Sequence, residues 1–535
     1  MEEFSSKDID HLGLVAGMCN EIGLVEMIDQ MIPPDPRSGL SVGECVKLMI
    51  INGLGFSSRP LYLEAQFFSS KPIKRLLGRE LLAEEISDDC LGRALDRLYR
   101  ANCESIFSTI ASKVVTRFNV DARFRHLDTT SMSVQGEYEE GIGLIEFGYS
   151  KDNNPNLKQF MVSLMSSQDG DVPLLAQTIS GNTSDKKHFR EVLKTLKKEI
   201  EGSKATSYYV ADSALYTRET IKEISNFTKW ITRVPESIGA SKKLIRSTDK
   251  EKMSPCGEGY VASEVCSVYG DIRQRWIIVF SKKAYEREKK TVGRQMSKTE
   301  EKLKVELKKL CRKEYSCRSD ALRDLEEFRK PLKYHKCSLK NIEEKVKMEK
   351  RGRPKKTEKR KTVYQLSCEL QRDDDKISKI LKVKGKFIIA TNELDEGKLS
   401  IQDLLANYKR QQSVERGFRF LKDPMFMTSS VFLKKEERII ALGLVMCLCL
   451  LVYTLSQRKL RLRLNAADEG LPDQKGKPTK TPTMRWIYQI FEGVHVLYRL
   501  KDQRVTEIVL NLNILRIRVL NLMGPTYQKI YEDAA

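Results

Sequence analysis

FRHLDTTSMSV (residues 124–134) and SYYVAD (residues 207–212) are short runs rich in aromatic and β-branched residues, and each carries an Asp where its apolar character gives out. That composition over so few residues reads as strand. Asp128 falls on or at the edge of the first strand, where the main chain holds it rigidly. Asp212 ends the second and is followed by the small residues Ser213 and Ala214. Carboxylates at the ends of neighbouring strands can face one cleft. A single Asp at a strand end is ordinarily a turn or capping residue, and Asp121, Asp171 and Asp185 qualify on similar grounds. Between and beyond these runs lie LIEFGYS, QFMVSLMS, VPLLAQTIS, the helical stretch KKHFREVLKTLKKEI, and WITRVP. Strands followed by a helix and further strands imply a mixed α/β sheet.

A third acid comes from a helix. KFIIATNEL reads as an apolar strand, and a helix opens after it at Ser400, which has capping-box spacing to Asp403. Ile401, Leu404, Leu405 and Tyr408 follow at helical intervals. Seven residues advance a helix to within about 20° of two full turns. Tyr408, Glu415 and Lys422 are therefore expected on one face, with Arg419 one turn after Glu415. The ordinary meaning of such spacing is a solvated charge stripe. Together with two strand-end carboxylates it is also compatible with a divalent-cation site of the kind that cuts phosphodiesters, and the spacing alone leaves both readings open.

Composition agrees with a polyanionic partner. The chain has 535 residues with 94 Lys and Arg against 73 Asp and Glu, a net charge of +21, which favours phosphate neutralisation and counterion release. Twelve cysteines without a CxxC pair, and five histidines away from zinc-ligand spacing, argue against structural zinc or a disulfide framework. The acidic start MEEFSSKDID lacks an apolar signal core, so a cytoplasmic location is expected. IIALGLVMCLCLLVYTL (residues 439–455) is at the short end of a membrane span. Its place between the Glu415 helix and the basic run QRKLRLRL suits a buried helix, and no membrane association is expected.

Texture divides the chain into five parts. Residues 1–118 read as an all-α unit for DNA binding or dimerisation. Residues 119–236 and 383–455 form the two halves of an α/β core. Residues 237–382 are an insertion, β-containing first and then charged and helical, and residues 456–535 are a basic helical tail. Inside the insertion, RGRPKK (residues 351–356) has the core of a short hook that lays Arg351 and Arg353 into narrow A·T minor grooves. A solvated charged loop is the plain alternative.

The spacing Tyr408-x2-Gln411-x3-Glu415-x6-Lys422 resembles the Tyr-Arg-Glu-Lys signature of one branch of the insertion-sequence DDE transposases. It departs only at Gln411, where the signature has Arg, although Arg410 is adjacent. HLDTTSMSVQGEY, GNTSDKKHF and YYVADSALY resemble the same family's segments around the first two acids, and the likeness spans most of residues 5–455. It implies a ribonuclease H-like core in which Asp128, Asp212 and Glu415 bind two Mg²⁺ ions, with Mn²⁺ as a substitute. It also implies DNA contacts from Tyr408, Lys422, Arg419, Arg410 or Gln411. The implied partners are double-stranded transposon ends and target DNA, bound by a homodimer in a bacterial or archaeal nucleoid. Relatives use the insertion to hold the cleaved end, which nominates Trp276 for stacking on an unpaired base. The alternatives are a metal-dependent nuclease of the same fold and a non-catalytic DNA-binding protein.

Overall fold

The computed structural model describes residues 2–56, 63–134, 143–148, 156–197, 206–348, 360–423, 433, 435–501 and 504–534. Its strands, in chain order, are β1 (Glu3–Asp8), β2 (Phe124–Ser133), β3 (Gln159–Ser167), β4 (Pro173–Ser180), β5 (Tyr208–Ala211), β6 (Lys229–Arg233), β7 (Ser254–Gly257) and β8 (Tyr260–Tyr269). They continue as β9 (Ile272–Ser281), β10 (His335–Met348), β11 (Arg360–Arg372), β12 (Lys386–Thr391), β13 (Leu471–Pro472), β14 (Pro478–Thr479), β15 (His495–Lys501) and β16 (Arg504–Leu510).

Nine strands make one mixed sheet in the order β4-β3-β2-β5-β6-β12-β9-β8-β7. The β2/β5 and β5/β6 pairs are parallel, and the other pairs are antiparallel. Every residue of β3 and β5 is buried, as expected for strands covered on both faces. On one face Leu127, Tyr209, Trp230 and Ile388 pack with Phe189, Val192 and Ile221 of the covering helices. On the other, Phe124, Tyr208, Val210 and Ile389 meet Leu404 and Leu405 of the helix Ile401–Lys409.

The β segment expected inside an insertion is part of this central sheet, because β9 pairs directly with β12. What stands out from the sheet is the stretch between those two strands. It comprises the helices Lys282–Arg312 and Arg318–Arg329, the β10–β11 hairpin and the helix Asp374–Lys382. Leu303, Leu307, Leu325 and Leu366 form a small core of its own. Arg351 and Arg353 lie outside the described residues.

The apolar run near residue 440 is a helix, Glu436–Ala466, long and apolar enough to cross a membrane, but 89% of its apolar window is buried inside the protein. A helix apolar on all sides must be enclosed, and its side chains share one core with the N-terminal helices Leu12–Ile22, Val42–Gly53 and Asp88–Arg100. At Gly443 an added Cβ would stand 2.4 Å from Thr178 Oγ1 of β4, so the missing side chain is what lets helix and sheet touch.

The N-terminal unit is not wholly helical, because β1 pairs antiparallel with β15 in a three-stranded sheet completed by β16. The C-terminal region is correspondingly not only helical. Its Tyr527 and Tyr531 rings occupy the space above Gly17 and Gly13.

Candidate active site

The β2/β5 pairing sets Phe124 opposite Tyr208, Arg125 opposite Tyr209 and His126 opposite Val210. Carried two residues further, this register brings Asp128 level with Asp212, and parallel neighbours at one level project to the same side. Asp128 is half-buried and Asp212 exposed. Main-chain amides orient both. Asp128 Oδ1 accepts from Thr129 N at 2.8 Å, and Asp212 Oδ1 accepts from Ala214 N at 2.8 Å, capping the turn Ser213–Leu215. Thr232 Oγ1 of β6 donates to the Asp212 carbonyl at 2.6 Å and fastens the end of β5.

Glu415 lies exposed on the helix Gln412–Leu421, whose Val414, Phe418 and Leu421 are buried. The Tyr408 hydroxyl links this helix to the strand ends electrostatically. Burial raises its pKa, the Arg233 guanidinium opposes the rise, and the carboxylates of Asp212 and Glu415 add to it.

Among the described residues, no three His, Cys, Asp or Glu side chains are gathered at distances that would hold a metal ion. Asp128 and Asp212 come level through the sheet register, and Glu415 is exposed on the helix that packs against β2 and β3. Three carboxylates, with neither thiol nor imidazole among them, make a donor set suited to a hard divalent cation.

The single expected helix is pinched. It runs as Ile401–Lys409 and Gln412–Leu421, and Gln411 N donates to Tyr408 O, three residues back rather than four. Tyr408 and Glu415 therefore sit on two helical pieces that share a bend. Gln411, expected at DNA, is buried. Its Nε2 donates to the Leu127 carbonyl at 3.0 Å, and its Oε1 stands 3.4 Å from His126 Nδ1. Burial holds the His126 pKa down at about 4, so this imidazole is neutral. Arg410 is exposed beside it, with Nη1 3.4 Å from Gln168 Oε1. Arg419 is exposed and Lys422 half-buried.

Trp276 does not fit a base-stacking role. It lies in the middle of β9, 2% exposed, with Nε1 donating to Tyr216 Oη and Gln274 Oε1 at 3.1 Å each. The rival acids have structural partners. Asp171 pairs with Arg416 at 2.9 Å, and Asp121 Oδ2 accepts from Gln168 Nε2 at 2.9 Å. Sequence reasoning missed His126 and Arg233 as parts of this neighbourhood, and weighed Asp171 only as a rival acid rather than as the partner of Arg416. Only the position of Arg233 at the end of a predicted strand offered a signal.

The profile of the family described as "Transposase DDE domain" matches residues 120–452, and a domain of unknown function, DUF4277, matches residues 4–112. No protein of curated function matches in sequence. Among solved structures, a cryo-EM structure of the piggyBac transposase synaptic complex with hairpin DNA is similar at 10% identity and a TM-score of 0.36, over 90% of this chain and 79% of that one. The first match spans more than half of the chain and contains all three acids, so the protein belongs to the transposase DDE domain family and is a DDE-type DNA transposase.

Proposed function

We propose that Asp128, Asp212 and Glu415 together bind two Mg²⁺ ions, with Mn²⁺ able to substitute, and that the protein cleaves transposon ends and joins the freed 3′-hydroxyls to target DNA. The observation that carries this reading is the strand register that, continued two residues past its last pair, brings Asp128 level with Asp212. When bound, the ions lower the pKa of the attacking water or 3′-hydroxyl and neutralise charge on the leaving oxygen. The protein's own part is placement. The strands fix two carboxylates through main-chain hydrogen bonds, and the helix brings the third. Tyr408, Arg410, Arg419, Lys422 and Arg233 hold phosphates beside the scissile bond, where a shift of about 1 Å costs roughly 100-fold in rate.

A ribonuclease H-like core is supported by the order β4-β3-β2-β5-β6, antiparallel across β4, β3 and β2 and parallel across β2, β5 and β6. The net charge of +21 suits terminal inverted repeats and target duplex as partners, and a homodimer on paired ends is the working assembly.

Glu415→Gln is the decisive variant. It removes Mg²⁺-dependent cleavage of a duplex carrying the terminal repeat and leaves end binding within about threefold, as read by gel shift. Undiminished cleavage by that variant ends the assignment. Cleavage without joining to a target plasmid by the wild-type protein makes it a nuclease instead.

A further inference from the structure

The helix that carries Glu415 meets the strand that carries Asp128 through one buried carboxamide. Gln411 is 9% exposed, and both ends of its amide are engaged with β2 at consecutive residues, the His126 ring and the Leu127 carbonyl. Because Nε2 is the donor to Leu127, Oε1 is the end that faces His126, and the imidazole must carry its proton on Nδ1 to donate to it. Asp128 is the next residue along the strand, and Glu415 is one helical turn beyond Gln411. The main chain records the pull. Arg410 N is shared between Ala406 O and Asn407 O, and Gln411 N reaches Tyr408 O, a local tightening that accompanies the turn of this side chain toward the sheet.

Adhesion of the helix does not depend on this amide. Val414, Phe418 and Leu421 bury the helix in the core shared with Glu436–Ala466, and Arg416 ties it to Asp171. What Gln411 adds is register, the setting of one helical turn against one pair of strand residues.

We propose that Gln411 is a positioning residue of the cation site: its carboxamide fixes the Glu415 carboxylate relative to the Asp128–Asp212 pair and so sets the affinity for divalent cations. The inference rests on reading those three carboxylates as cation ligands. Groups that orient ligands in this way typically account for about 10- to 100-fold in metal affinity or activity.

The test uses the full chain and Mn²⁺ alone as the probe, with free Mn²⁺ measured by electron paramagnetic resonance in the absence of DNA. Gln411→Ala is expected to weaken Mn²⁺ binding about 10- to 100-fold and to raise the Mn²⁺ concentration needed for half-maximal cleavage by the same factor. Its binding to terminal-repeat DNA and its thermal transition in chelator are expected to stay close to those of the wild type. If Gln411→Ala does not fold, Gln411→Leu, which keeps the buried volume, is read in the same way. Wild-type Mn²⁺ affinity in a folded variant overturns the proposal even if cleavage falls, because the amide would then serve packing alone. A Glu415→Gln variant that binds Mn²⁺ like the wild type removes the carboxylate reading underneath, and this inference with it.

Discussion

Asp128 and Asp212 are held by main chain, whereas Glu415 is held by side chains. Asp128 sits on β2 and Asp212 directly follows β5, its parallel neighbour in a sheet that continues through β6 and β12, so their separation is set by the sheet. The third sits on a ten-residue helix docked by a carboxamide, an Arg416–Asp171 pair, an Asp423–Arg485 pair and three apolar side chains. The placement of Asp128 and Asp212 is thus set by the same hydrogen bonds that hold the sheet together. The position of Glu415 therefore depends on several separate contacts, each of which a single substitution can remove.

The largest effect should come from the rigid half. Asp212→Asn should abolish metal-dependent cleavage while preserving the circular dichroism spectrum, since only a side-chain oxygen is exchanged and the amide still caps Ala214. Residual cleavage within about tenfold of wild type would mean that Asp212 is a cap and not a ligand. A smaller effect is expected on the adjustable half. Arg416→Ala removes a partly exposed ion pair worth about 0.2–1 kcal/mol in stability and should slow cleavage by roughly 3- to 10-fold through misplacement of Glu415. Unchanged single-turnover rates would show that the apolar contacts suffice. The smallest effect on DNA handling is expected at Trp276. Trp276→Phe should leave end binding unchanged in a gel shift, and lower stability by about 1–3 kcal/mol through the loss of buried ring volume and of the indole hydrogen bonds, Tyr216 and Gln274 remaining bonded to each other. Weakened end binding without loss of stability would return that ring to the DNA.

These residues also mark how far the sequence could be read. The strands at Asp128 and Asp212 were legible because composition and length suffice for a buried strand, although β2 continues through Asp128 to Ser133 instead of ending there. So was the helix start, where Ser400 Oγ accepts from Asp403 N at 3.1 Å. The seven-residue arithmetic from Tyr408 to Glu415 assumed uniform pitch, and it missed the bend because the cause is a contact with β2, some 284 residues away in the chain. Trp276 was misread because a large aromatic in a β run has the same composition whether it fills a core or awaits a base. The membership of β7–β9 in the main sheet depends on β12, which lies beyond more than 100 intervening residues. Periodicity carries no information about such pairings.

The pairing of β1 with β15, and the burial of Glu436–Ala466 among the N-terminal helices, bear on how the protein is made. The first helices leave the ribosome long before the segments that cover them have been translated, and their apolar faces stay open until residues 436–531 follow. The N-terminal helices can pack on one another as they emerge, but the core they share is completed only when these last-made segments arrive.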